Sequence, residues 1–251
     1  MSFMKKLNLL SALIFAISVS ACAQKQPSKK EVFNKVWKAV GGKATFEKSR
    51  YLEFTFAPIK QGKQAPGRHH IWDRYTGDYR LEYNAENGKQ NVILFNVNTK
   101  QGKAYNDGYI VPDSAAADLV KKAYAAYIND SYWLMSPLKL QDEGVNTQIE
   151  ANTDVNGTDC NVIHLNFDKV GLTPGDQYWM YVNEDTGEVV RWKFLLQNQK
   201  NPAIFDWEPY QNLGNGLKLS NKKTNKESNT SIFFPVAKVL QSVGETTFYK
   251  P

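Results

Sequence analysis

Three histidines, two cysteines and a scatter of carboxylates are the side chains of this 251-residue sequence that could do chemistry. His69 and His70 are neighbours, so on a strand they project to opposite faces and do not share one metal. Zinc sites usually gather three or four convergent ligands, and the remaining histidine, His164, lies far along the chain. All three read as solvated or hydrogen-bonded side chains, and no metal or cofactor is expected. Acids such as Asp73, Glu82, Asp176, Glu184 and Asp185 are plentiful. A hydrolytic carboxylate pair is defined by a fixed separation, which a sequence does not give. Asp73 with Arg74 and Arg80 reads instead as a cross-strand ion-pair cluster about the Thr76-Gly77 turn. Cys160, in a strand-like run that ends at Phe167, reads as a buried, inert thiol. No zincin helix, phosphate-cradling glycine loop or nucleophile elbow occurs. The tripeptides starting at Asn129, Asn156 and Asn229 match the glycosylation acceptor pattern and read as turns. Enzymatic function is therefore not the expectation, with hydrolysis the default if there were one.

The other cysteine, Cys22, has a position that suggests a role. Lys5 and Lys6 precede an apolar run from Leu7 to Val19, and Ser20, Ala21 and Cys22 follow. A basic end, a short apolar core and small residues make a secretory signal. The run is too short to span a bilayer, which needs about 20 mostly apolar residues. Val19-Ser20-Ala21-Cys22 resembles the bacterial lipoprotein box. That resemblance implies a signal peptide over 1–21, acylation of Cys22 (palmitate among the acyl groups) and a lipidated tether over 22–28. One domain over 29–251 follows. The chain would be exported and would meet the membrane through its N-terminal lipid. No acid closely follows Cys22, unlike the acidic export signal of some surface lipoproteins, so the expected place is the outer membrane, facing the periplasm. Removing 1–21 leaves 230 residues and lowers the formal charge from +6 to +4. This mild excess is spread along the chain, with neither the basic stripe nor the module that nucleic-acid binding needs.

The elements that would position any site follow from periodicity. Ser28 with Glu31 is a capping-box pattern, and Val32, Phe33, Val36, Trp37 and Val40 recur at helical spacing before Gly41-Gly42. Strands are predicted over Tyr51–Phe56, Arg68–Arg74, Tyr79–Tyr83 and Val92–Val97, with a loop over Pro58–Gly67. A second helix starts near Pro112, with Asp113 or Ser114 as its cap, and has Leu119, Ala123 and Tyr127 on its apolar side. The very apolar Tyr132-Trp133-Leu134-Met135-Ser136-Pro137-Leu138 reads as a separate short segment. Strands return over Thr147–Asn152, Asn161–Phe167, Gln177–Val182 and Val189–Leu196, then Phe205–Tyr210, Leu217–Leu219, Ile232–Leu240 and Thr246–Phe248. Leu172 to Asp176 reads as a loop, and Ser220 to Ser231 as a loop or edge hairpin. Tight turns between strands favour antiparallel pairing. In the Gln177 strand, Tyr178, Met180 and Val182 point one way and Trp179 and Tyr181 the other. In the next, Val190, Trp192, Phe194 and Leu196 share a face. The expected class is α+β, a large curved antiparallel sheet with covering helices.

Trp72-Asp73-Arg74, Thr76-Gly77, Tyr79-Arg80, the Tyr132-to-Leu138 segment and the hairpin from Gln177 to Leu196 together resemble the LolA/LolB-like superfamily. Within it the chain looks most like uncharacterised Bacteroidetes LolA-like envelope lipoproteins. The resemblance implies an incomplete β-barrel of about eleven strands whose concave side is covered by helices. It also implies a cavity between sheet and helices that takes up acyl chains, with lipids and envelope proteins as partners. Trp133, Met135, Trp179, Trp192 and Phe194 are the candidate ligand-binding side chains. The alternative readings are a carbohydrate-binding accessory lipoprotein, with tryptophans stacking on sugar rings, and an envelope scaffold protein.

Overall fold

The computed structural model describes residues 26–168 and 175–251. The signal segment 1–21, Cys22 and the tether as far as residue 25 lie outside the described residues, as do residues 172–174 of the expected loop.

The capping box forms as its spacing predicts. The Glu31 N–H donates to Ser28 Oγ at 3.3 Å, and the Ser28 N–H donates to Glu31 Oε2 at 2.7 Å. Helix α1 (Lys29–Ala39) buries Val32, Phe33 and Val36 and ends at Gly41-Gly42, both at positive φ. Gly41 is also needed sterically, since a Cβ there would sit 2.1 Å from the Gly216 carbonyl oxygen. A short helix α2 (Lys43–Lys48) follows, which periodicity did not reveal; it lacks a side-chain cap and buries none of its residues.

The strands before the long helix are β1 (Tyr51–Phe56), β2 (Ile59–Lys60), β3 (Lys63–Gln64), β4 (Arg68–Asp73), β5 (Asp78–Asn84), β6 (Gln90–Asn96), β7 (Gly102–Asn106) and β8 (Tyr109–Ile110). Helix α3 (Asp113–Met135) and a 3-10 turn (Ser136–Leu138) come next. Then follow β9 (Val145–Val155), β10 (Thr158–Phe167), β11 (Gln177–Asn183), β12 (Val189–Leu195) and β13 (Ala203–Trp207). Last come β14 (Gln211–Gly214), β15 (Leu217–Leu219), β16 (Lys222–Asn225), β17 (Thr230–Phe233) and β18 (Val236–Leu240).

Every strand pair is antiparallel. One sheet has seven strands in the order β18-β1-β4-β5-β6-β7-β8, a second has nine in the order β3-β2-β17-β16-β13-β12-β11-β10-β9, and β14 pairs with β15 alone. Two neighbouring chain segments bend from one large sheet into the other. Thr55 pairs with Val236, the Ala57 N–H donates to the Phe233 carbonyl at 2.8 Å, and Ile59 pairs with Ser231. Pro58 and Pro235 lie at the bends, where a missing ladder donor costs least. The outer edges, β8 and β9, stay apart, so the surface curves without closing into a barrel. The eighteen strands among the described residues exceed the expected eleven mainly because bent strands count twice and several strands are two residues long.

The long helix corrects several readings. It runs unbroken through Asn129-Asp130-Ser131, which reads as a turn from its residue types, and through Tyr132–Met135, which reads as a separate segment. No glycine or proline falls between Asp113 and Met135, and Pro137 acts only at the 3-10 turn beyond. Neither Asp113 nor Ser114 caps it. Pro112 is the N-cap, and its carbonyl accepts from the Ala116 N–H at 2.9 Å. Its inward stripe is Ala116, Val120, Ala123, Asp130, Leu134 and Met135, while Leu119 is only half-buried. Elsewhere, Ser220–Ser231 contributes β16 and β17 to the interior of the nine-stranded sheet rather than to its edge, and Thr246–Phe248 forms turns, not a strand.

Asp73 does not join Arg74 and Arg80. It takes a two-pronged bond from Arg50, at 3.1 and 2.7 Å, and caps the Tyr75 N–H at 2.9 Å. Arg74 instead donates to the carbonyls of Phe46 and Ser49, and Arg80 pairs with Glu82. Cys160 is fully buried, and burial pushes its thiol up to about 11, which leaves it protonated and inert at neutral pH.

One buried charge carries a stability prediction. Lys223 is fully buried, with Nζ donating to the Ser220 carbonyl at 2.5 Å and facing the rings of Trp207 and Phe234 at 4.5 and 5.0 Å. Burial holds its amine well below the usual lysine range. Between that lowered value and the unfolded value of about 10.4, the unfolded chain binds more protons, so stability rises with pH. Cation–π contacts return about 0.5–2 kcal/mol against a desolvation cost of several. Lys223→Met is therefore expected to be about 1 kcal/mol or more stabler at pH 7. Urea titrations should show that advantage shrinking as pH rises toward 10.4.

Candidate functional site

The inner face of the nine-stranded sheet meets the C-terminal end of α3 over a half-open cavity of about 430 Å³. Ile128, Asn129, Tyr132 and Trp133 come from the helix. Phe167, Tyr178, Trp192, Phe194 and Leu196 come from β10, β11, β12 and the residue after it. Lys139, Asp142 and Glu143, between the 3-10 turn and β9, and Val145, the first residue of β9, form the rim.

Strand alternation delivers Tyr178, Met180 and Val182 inward on β11, as predicted. On β12 it holds for Trp192 and Phe194 but fails one step earlier. The register slips between Tyr181 and Val182, so that Tyr181 faces Arg191 and Val182 faces Val189. That bulge turns Val189 inward, at 1% exposure, and leaves Val190 half-buried.

Aromatic rings pack around the cavity, most of them edge to face. Tyr132 lies 5.5 Å from both Phe167 and Trp192, and Tyr178 lies 5.2 Å from Phe167 and 5.7 Å from Trp192. Trp133 lies 5.0 Å from Phe205, 6.0 Å from Phe194 and 6.1 Å from Trp192. The Tyr132 hydroxyl and the Trp192 indole N–H are buried without a hydrogen-bond partner among the described residues. Burial drives the Tyr132 hydroxyl strongly up, so it stays neutral. At the rim Lys139 Nζ donates to Asp142 at 3.3 Å, and Glu143 is exposed, with no ion-pair partner among the described residues.

Three of the candidate ligand residues, Trp133, Trp192 and Phe194, thus meet at one cavity, and two do not. Met135 is fully buried among the residues that α3 packs against the seven-stranded sheet. Trp179 is on the outer face of its sheet, where alternation sends it. His164 stacks on its ring at 4.9 Å and Lys193 Nζ sits 3.9 Å from the ring centroid. Its indole N–H donates to Glu150 at 3.3 Å. With those neighbours on its ring, Trp179 does not offer the open platform that sugar stacking needs.

The residues that set the helix over the cavity were missed from sequence. Asp130 and its neighbours lie one turn before Trp133 and Leu134. Both oxygens of its fully buried carboxylate accept from Arg68, at 2.6 and 2.7 Å. His70 Nε2 is 3.1 Å from Asp130 Oδ2, and His70 Nδ1 is 2.8 Å from the Tyr79 hydroxyl. A carboxylate only accepts, so the His70 proton is on Nε2 and Tyr79 donates to Nδ1. Phe54 stacks on the imidazole at 4.5 Å. Burial pushes His70 below its ordinary value, which outweighs the pull of Asp130, and the ring is neutral at pH 7. For Asp130 burial acts upward, but the bonds from His70 and Arg68 prevail and hold the carboxyl below its usual range. His69, one residue away, faces the other side and contacts Thr55 and Glu53. The only sequence signal for this network was that a two-residue step along β4 places Arg68 and His70 on one face; nothing tied them to Asp130, 62 and 60 residues on.

No protein-family model and no curated protein matches the sequence. Solved structures do match. A DUF1329 family protein from Desulfovibrio piger superposes with a TM-score of 0.50 at 12% identity, over 87% of this chain and 96% of that one. A domain named as an outer membrane lipoprotein-sorting protein, from Vibrio parahaemolyticus, gives a TM-score of 0.50 at 9% identity, over 88% and 97%. A LolA superfamily protein from Nitrosomonas europaea gives 0.47 at 10% identity, over 89% and 98%. These likenesses show the fold: this chain shares an open, curved antiparallel sheet with a long helix across its hollow with the lipoprotein-sorting domain, over 97% of that domain.

Proposed function

We propose that this chain is a non-enzymatic envelope lipoprotein that takes a lipid or another apolar ligand into the cavity between α3 and the nine-stranded sheet. The observation that carries the reading is the cavity itself, about 430 Å³, walled by aromatic rings and open at one side. That volume lies within the range of about 300–1,000 Å³ that small-molecule sites occupy. Each methylene buried there would contribute about 0.8 kcal/mol. Acylation at Cys22 would hold the cavity beside a bilayer, at the outer membrane facing the periplasm, with the chain from 29 to 251 acting as one domain. Envelope proteins that deliver or receive the ligand would be its partners. The LolA-like fold supports this reading, because the lipoprotein-sorting domain from Vibrio parahaemolyticus has the same architecture.

The test is direct. The chain purified from a membrane-bearing host is extracted with organic solvent and its extract is read by mass spectrometry. A co-purifying lipid in near-stoichiometric amount, and uptake of a fluorescent fatty-chain probe by the emptied protein, are the expected results. An extract free of lipid together with no probe uptake would remove the reading. Release of the chain without acyl groups would remove its anchored half.

A further inference from the structure

The cavity is not neutral in its preference for a ligand head. Tyr132, Trp133, Tyr178 and Trp192 line it, and an aromatic ring carries negative quadrupole charge over its face. The Tyr178 hydroxyl lies 3.3 Å from the buried carboxylate of Asp176, a bond that pushes electron density into that ring. The rim holds two acids and one base. Lys139 is engaged by Asp142 at 3.3 Å, which leaves Glu143 without an ion-pair partner at the opening among the described residues. A fatty-acid carboxylate lodged by its chain would meet these acids with no uncommitted cation at the rim among the described residues. An ammonium group would meet aromatic walls and a carboxylate, two surroundings that favour it.

We infer that the ligand is an amphiphile with an ammonium head, its chain against the rings and its head at Glu143. This rests on the cavity reading above and adds the sign of the head to it.

Three probes with the same twelve-carbon chain isolate the head: dodecyltrimethylammonium, dodecanol and dodecanoate. Each is titrated below its micelle concentration into the full chain carrying Cys22→Ser, which stays unacylated, with tryptophan fluorescence as the readout. The cation should bind on the order of tenfold tighter than the anion at low salt, with the alcohol between them, and added salt should narrow the gap. Glu143→Gln, at an exposed site, should shrink the cation-to-anion ratio several-fold and leave the alcohol unchanged. Dodecanoate binding as tightly as the cation, or a ratio indifferent to Glu143→Gln, overturns the inference and leaves the apolar cavity standing. No binding by any of the three overturns both.

Discussion

Asp130→Ala is expected to lower folding stability by about 3 kcal/mol, seen as a reduced urea midpoint at an unchanged slope. Removing one partner of a buried pair usually costs about 3–5 kcal/mol, because the other charge is left uncompensated. The low end applies here. The Arg68 side chain is 36% exposed, so water can take up part of what Asp130 supplied. His70 has no such relief, since it is fully buried and its Nε2–H would lose its only acceptor. Asp130→Asn keeps the size and one acceptor, so it should lose less than alanine does. Acid gives a second readout. The Asp130 carboxyl is held below its unfolded value, so its contribution is complete above about pH 3.9 and fades as pH falls through the lower folded value. The gap between wild type and Asp130→Ala should close over that range. His70, also shifted down, adds a loss that starts on acidification through about 6.5 in both proteins. A variant as stable as wild type would mean that helix packing alone holds α3 over the cavity.

That residue also marks where the sequence stopped being informative. Local rules held wherever the deciding atoms are close in the chain. Ser28 and Glu31 cap α1, Tyr51–Phe56 is a strand residue for residue, and Asn156-Gly157 turns β9 into β10. They failed where a distant partner decides. Asp130 sits in a tripeptide of turn-forming residues, yet it is held within the helix, where Arg68 and His70 satisfy its carboxylate from the seven-stranded sheet. Asp73 took Arg50 rather than Arg74 because adjacent strand residues face opposite sides and the β1 entry brings Arg50 alongside, while Arg80, opposite Ile71, is held by Glu82 and the carbonyls of Thr247 and Lys250. The cavity was half legible. Period two put Trp192 and Phe194 on one face, and the same rule, followed strictly, sends Trp179 outward, where it is. The bulge at Val189 was not legible, since nothing in the run Val189-Val190-Arg191 says which valine the register will skip. Helix α2 was invisible for the opposite reason, having no buried stripe to give it a period.

Trp192→Ala and Trp133→Ala should separate the protein's core from its ligand site. Trp192 is 3% exposed, with Tyr132 and Tyr178 packed nearly perpendicular to it and Trp207 stacked at 6.0 Å. Its indole N–H has no partner among the described residues, so truncation loses packing, and about 3–5 kcal/mol is the expected cost. Trp133 is half-buried, one helix turn beyond Asp130, with its ring on Phe205 and toward the opening. Its removal leaves a gap that water can enter, so the stability loss should be less than half as large, roughly 1–2 kcal/mol by the burial it gives up. Binding should rank the other way among proteins that remain folded. A chain lying against Trp133 loses one wall, and a loss of about 1.4 kcal/mol or more is tenfold in affinity. Calorimetry with a twelve-carbon alcohol on folded Trp133→Ala reads that loss directly, while urea melts on both variants read the first. Unaltered affinity in Trp133→Ala would make the ring-lined hollow a packing gap of the fold, because a ligand that fills it has to touch that indole.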